Sequence, residues 1–122
     1  MTLDDLRFWS ALDQLAATYP VAVDRAKGTP HPRYPDFIYP LDYGYLEGTV
    51  SGDGAGIDVW VGSLPGRAVV GMVCCVDTLK GDMEVKLLLG CTEGEMRLVL
   101  GIHNDGGQSA VLLARPAEQV GI

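Results

Sequence analysis

The stretch GRAVVGMVCCVDTLKGDMEVKLLLG, from Gly66 to Gly90, commits this chain to β-structure more firmly than any other part of it. Two apolar runs are joined by Lys80, Gly81 and Asp82, which is a tight-turn signal. Successive side chains of a strand point to opposite faces. The second run therefore puts Glu84, Lys86 and Leu88 on one face and Val85, Leu87 and Leu89 on the other. The pattern predicts a long hairpin that carries an acid and a base side by side on one surface.

The rest of the chain reads as shorter elements around that hairpin. In MTLDDLRFWSALDQLAATY, Leu6, Trp9, Leu12 and Ala16 repeat at helical spacing, so a helix with one apolar face is expected. Thr2 and Asp5 form a capping pair at its start, and Pro20 ends it. A short strand follows. Then comes a loop with Pro30, Pro32, Pro35 and Pro40, expected to be stiff and unpaired for much of its length. GIDVWVG alternates as a strand, with Ile57, Val59 and Val61 on one face and Asp58 and Trp60 on the other. Thr92 and Glu95 open a second helix with a capping box, DGG breaks it, and SAVLLARP is a last strand. No repeat, linker or low-complexity tract interrupts the 122 residues, which suit a single domain, 1–122. The fold class expected is mainly β (α+β), a small curled sheet or β-barrel with a helix near each end.

Composition narrows the partners. With 48% hydrophobic residues the chain can bury a core. A net charge of −7 leaves no basic footprint for nucleic acid or an anionic membrane. Cys74, Cys75 and Cys91 are odd in number and show no zinc spacing, so free thiols in a reducing compartment are expected. No signal-peptide pattern opens the chain and no apolar stretch is long enough to span a bilayer, which makes the cytoplasm the expected location.

The candidate chemistry lies in YPLDYGYLEGTVSGDGAGIDVW, Tyr39 to Trp60. Glycines let Asp53 and Asp58 converge although five positions separate them. Glu84 offers a third carboxylate from the hairpin. Three carboxylates and water suit Mg²⁺. Lys86, Arg33 and Lys27 could meet a phosphate, and Tyr43 and Tyr45 could donate hydrogen bonds to its oxygens. The same residues are also consistent with a common Asp-Gly turn and a solvated strand face. His31 is expected to be solvated, His103 to sit on a helix dipole, and Trp9 and Trp60 to be core or subunit-interface anchors.

The run YPLDYGYLEGT…DGAGID resembles the soluble family I inorganic pyrophosphatases, whose signature has a tyrosine-proline step, an NYGY-like run, a threonine and DGDPxD. VDRAKGTPHPRY is similar to that family's VEIPKGSxxKY stretch, and LKGDMEVKLL to its acid-x-lysine hairpin. The likeness covers roughly Val21 to Leu89. It implies a distorted OB-like barrel with flanking helices, a homo-oligomer, and Mg²⁺-dependent (or Mn²⁺-dependent) hydrolysis of pyrophosphate to two phosphates. It further implies Asp53, Asp58 and Glu84 as ligands of the tightest metal site, with Asp82 as a further ligand and Asp77 as a weaker candidate for that role. Asp24 would hold a metal through water. Lys86 and Arg33 would bind phosphate, and Tyr43 would orient a site carboxylate and the water.

Three departures from the family pattern bear on turnover. Ala55 stands where the family has the middle aspartate, which orients or deprotonates the nucleophile. The chain passes from Arg33 to Tyr39 without the family's arginine-bearing hairpin, and no tyrosine-lysine pair follows Thr92. The resemblance therefore implies an impaired enzyme. The alternatives are a metal- and phosphate-binding homologue without turnover, or an engineered substrate-trapping variant.

Overall fold

A computed structural model describes residues 2–116. It has eight elements: α1 (Leu3–Thr18), β1 (Val21–Arg25), β2 (Asp42–Leu46), β3 (Ile57–Val61), β4 (Val69–Asp77), β5 (Asp82–Leu89), α2 (Glu93–Ile102) and β6 (Gln108–Ala114). The strands form one mixed sheet in the order β1-β2-β3-β5-β4-β6. β3 and β5 run parallel, and every other neighbouring pair is antiparallel. The mainly β, α+β architecture is the one expected. Among the described residues the sheet does not close on itself, because β1 and β6 lie at opposite edges.

Alternation along the central strands builds two cores on the two faces of the sheet. Leu46, Val59, Val61, Val69, Met72, Leu87 and Leu89 pack under Trp9 of α1. Trp60, Val70, Val73 and Leu88 face the other way, against Val99 of α2 and against Tyr39 and Leu41. Each fully buried aliphatic side chain contributes about 1.5–3 kcal/mol. The bulge between Val69 and Gly71 lets Val69 share a core with Met72, and Val70 with Val73, although each pair is three positions apart. Gly62 follows β3 at the point where the chain leaving β5 crosses it. A Cβ there would meet the Cα of Cys91 and the carbonyl of Gly90, so the parallel β3–β5 pairing needs glycine at that position.

Both helix starts carry the expected capping boxes, Thr2 with Asp5 and Thr92 with Glu95. The apolar face of α1 is narrower than its sequence suggests. Trp9 is buried, Leu12 and Ala16 pack beside it, and Leu6 is exposed. The proline loop also differs from expectation. Pro30 and Ile38 form an isolated β-bridge, and the His31 N–H donates to the Phe37 carbonyl. Prolines remove donors only at their own positions, and here the residues between them pair. Cys74, Cys75 and Cys91 are free thiols. No described helix is long and apolar enough to cross a membrane.

Candidate active site

The parallel β3–β5 register sets the centre of the site, because it pairs Asp58 directly with Lys86. Glu84 lies two residues back on the same face of β5, and Tyr43 arrives from β2, opposite Trp60. The Lys86 side chain points in among these groups. Its Nζ donates to Asp58 Oδ2 at 2.7 Å, to Glu84 Oε2 at 2.6 Å and to the Tyr43 hydroxyl at 2.9 Å. An ammonium has three protons, so all of its donors are used. Lys86 is only 6% exposed. Burial alone would lower its pKa, but Tyr43, Asp58 and Glu84 outweigh that and hold it well above the ordinary lysine value. Burial pushes the Tyr43 phenol up to about 12 despite the neighbouring ammonium, so it stays protonated.

Tyr43, Glu84 and Lys86 form the floor of a cleft of about 280 Å³, and Asp58 holds Lys86 from outside its lining. One wall is charged: Asp77, Lys80, Asp82 and Glu84 from the β4–β5 hairpin. The other is aromatic: His31, Phe37, Tyr39, Tyr43 and Trp60, with His103 and Gln108 behind. His103 is buried and fixed at both ring nitrogens. Trp60 Nε1 donates to its Nε2 at 3.1 Å, and its Nδ1 lies 3.0 Å from Gln108 Oε1. Nε2 accepts, so Nδ1 carries the proton and the ring is neutral. Burial lowers its pKa against the opposing effect of Gln108.

The structure brings Tyr43, Asp58, Glu84 and Lys86 into direct contact, with Asp82 on the adjoining wall. Asp53 lies outside this contact set. It lines a second, apolar cavity of about 500 Å³ on the α1 side, whose rim Asp58 and Glu84 share. Asp53 Oδ1 accepts from the Ser51 hydroxyl and from the Ala55 N–H, and these bonds hold its pKa below the usual carboxylate value. Ala55 is exposed in the same loop and lines neither cavity. Asp24 and Arg33 are exposed and line neither cavity. The two histidines do more than the sequence suggests. His103 caps the C-terminus of α2, the helix end expected of it, and its ring is buried and hydrogen-bonded there. His31 accepts at Nδ1 from the Arg33 and Tyr34 N–H groups and lines the cleft. The His31 bonds are local, two and three residues along the chain, while the bond from Trp60 to His103 joins residues 43 apart and has no local signal in the sequence. The cleft-facing position of Asp77 follows from alternation along β4, whose Cys75 and Asp77 share the face of Glu84 and Asp82.

Carboxylate oxygens are the right donors for Mg²⁺. Among the described residues no three His, Cys, Asp or Glu side chains converge into a preformed ion cage. Asp58 and Glu84 each give one oxygen to Lys86, and their other oxygens have no partner among the described hydrogen bonds. That pair fits the common way Mg²⁺ is held, by one or two carboxylates with water and substrate phosphate completing the shell.

The fold defines a class before any relative does: a mixed sheet with a helix on each face and a charged cleft at a parallel strand pair. Solved structures of bacterial inorganic pyrophosphatases have this fold. The enzyme from Neisseria gonorrhoeae superposes over 81% of this chain and 83% of its own, with TM-score 0.55 and 18% identity. The Helicobacter pylori enzyme covers 80% and 84%, with TM-score 0.54 and 14% identity. The Coxiella burnetii enzyme covers 77% and 82%, with TM-score 0.52 and 15% identity. No protein-family model matches the sequence, and no curated protein matches it.

Proposed function

We propose that this chain is an inorganic pyrophosphatase that hydrolyses pyrophosphate with Mg²⁺ (or Mn²⁺), slowly because of Ala55. The observation that carries the reading is the Lys86 ammonium, enclosed by Asp58, Glu84 and Tyr43 at the floor of a cleft, on a fold shared with pyrophosphatases. The metal would be held by Asp58 and Glu84, with Asp53 and Asp82 acting through water from either side, and it would supply charge neutralisation and a more acidic water. Lys86, kept cationic by its neighbours, offers positive charge to a phosphate oxygen. The Tyr43 hydroxyl, un-ionised, orients Lys86 and the carboxylates. Arg33, two residues from His31 at the cleft wall, meets the outgoing phosphate. Asp24, beside the register partner of Tyr43, holds an outer ion through water. The chain acts as one domain in the cytoplasm, as a homo-oligomer.

Ala55 tests the reading. It stands in the loop that fixes Asp53, and a methyl group can neither accept a proton nor hold an ion. Ala55→Asp is expected to raise phosphate release from pyrophosphate by about 10²-fold, the lower end of what a general base contributes. Phosphate release in Mg²⁺ buffer, measured on both chains, checks it. No gain would place the defect in phosphate binding. A defect of that kind would be consistent with the cleft lining, where among the described residues Lys80 and Lys86 are the cations set against Asp77, Asp82 and Glu84.

A further inference from the structure

We propose that the cleft takes a diphosphate esterified to a planar heteroaromatic group, a nucleoside diphosphate being the chemistry that fits. The inference rests on the reading above, that the diphosphate is bound at Lys86. Inorganic pyrophosphate is polar on every side and has nothing to offer an aromatic wall. Yet His31, Phe37 and Tyr43, all partly exposed, line the cleft together with the charged hairpin.

That wall is built rather than incidental. Tyr39 lies flat behind His31, with ring planes 9° apart and centroids at 6.1 Å. Phe37 meets Tyr39 edge-on at 5.0 Å, and Tyr43 packs on Trp60 at 4.6 Å. The Pro30–Ile38 bridge pins the segment that carries His31 and Phe37. The wall also carries fixed polar groups. His31 Nδ1 accepts the Arg33 N–H at 3.0 Å and the Tyr34 N–H at 3.3 Å, so its proton sits on Nε2. Gln108 gives its carbonyl oxygen to His103, which leaves its amide N–H groups as donors beside the cleft. Two donors among aromatic faces suit a ring bearing nitrogen or carbonyl acceptors. A wholly apolar group would strand both donors. At about 280 Å³ the cleft is near the lower end of small-molecule pockets, enough for a ring or a diphosphate with the remainder at the mouth.

The reaction on such a substrate balances as hydrolysis. A water oxygen bonds to the terminal phosphorus, and the bridging P–O bond breaks with its electron pair leaving on the nucleoside monophosphate. Inorganic phosphate and one proton are released.

The test compares ADP, inorganic pyrophosphate and a simple alkyl diphosphate as competitors and substrates, with Mg²⁺, on the full chain. ADP is expected to bind about tenfold more tightly than the alkyl ester, the size of one stacking contact. The ratio of kcat/KM for ADP to that for pyrophosphate is expected to fall in His31→Ala and to recover in part in His31→Phe, which keeps a ring without the donor. Circular dichroism identifies a misfolded variant, and Phe37→Ala then takes its place. Equal binding of ADP and the alkyl ester, or an unchanged ratio in these variants, overturns the inference while pyrophosphate turnover upholds the reading beneath it. Neither binding nor turnover of any diphosphate overturns both.

Discussion

Lys86 and His103, a buried lysine and a buried histidine at the cleft, are handled in opposite ways. Lys86 keeps its charge because two carboxylates and a phenol accept hydrogen bonds from its three N–H groups. His103 has no carboxylate within hydrogen-bond reach among the described residues. It stays neutral, with Lys86 disfavouring its protonation and Glu84 and Asp58 opposing that more weakly than burial acts. The consequence is a pH dependence with a definite sign. An unfolded histidine takes up a proton near 6.5, and folded His103 does so at lower pH. Below 6.5 the unfolded state therefore binds the extra proton. The His103 contribution to stability is full above 6.5 and is lost as pH falls through the lower folded value. Urea melts from pH 7.5 to 5 are expected to show this decline, and His103→Gln, which has no titrating ring, is expected to flatten it.

At the scale of elements, α2 is held by its first turn. Glu95 Oε1 accepts from the Thr92 N–H at 2.8 Å, and the same carboxylate accepts from the Ser63 N–H and hydroxyl at 3.1 Å. One side chain thus caps the helix and ties it to the segment leaving β3. Thr92→Ala removes the cap alone and is expected to cost about 1 kcal/mol. Glu95→Ala also leaves the Ser63 donors without their acceptor and is expected to cost about 2 kcal/mol, read from the shift of the urea midpoint. The Thr92–Glu95 box was legible in the sequence because a cap is encoded within four residues. The tie to Ser63 was not, because 32 residues separate the partners. The same division holds across the site. Strand alternation gave the shared face of Glu84 and Lys86. The contact of Lys86 with Asp58 depends on β5 lying parallel to β3, and the alternation of either strand alone says nothing of which neighbour it takes. The proline loop misled for a related reason. Its prolines announce stiffness, while its pairing lies in the residues between them.

At the scale of the molecule, the α1 side of the sheet is left partly bare. Phe8 of α1, Met83 and Val85 of β5, and Val111 and Leu113 of β6 are exposed. Leu113 and Val111 sit in register with Met72 and Cys74, which extends the apolar face towards the β6 edge. A contiguous apolar surface of this kind is a reason to expect self-association. Sedimentation at micromolar concentration is expected to give a multiple of 13.0 kDa, and Met83→Glu to shift it towards the single chain. A monomer mass for the unaltered chain would contradict the oligomer. The central claim, however, concerns the other face, where Lys86 is held as a cation for a diphosphate. Phosphate release from pyrophosphate in the presence and absence of Mg²⁺, measured on the unaltered chain and on Lys86→Met, tests it most directly. The account predicts slow, Mg²⁺-dependent release that Lys86→Met reduces by about 10²-fold or more, a loss of the size that one such electrostatic contact supplies. Release that is unchanged in Lys86→Met, or no release above background from the unaltered chain, would contradict it.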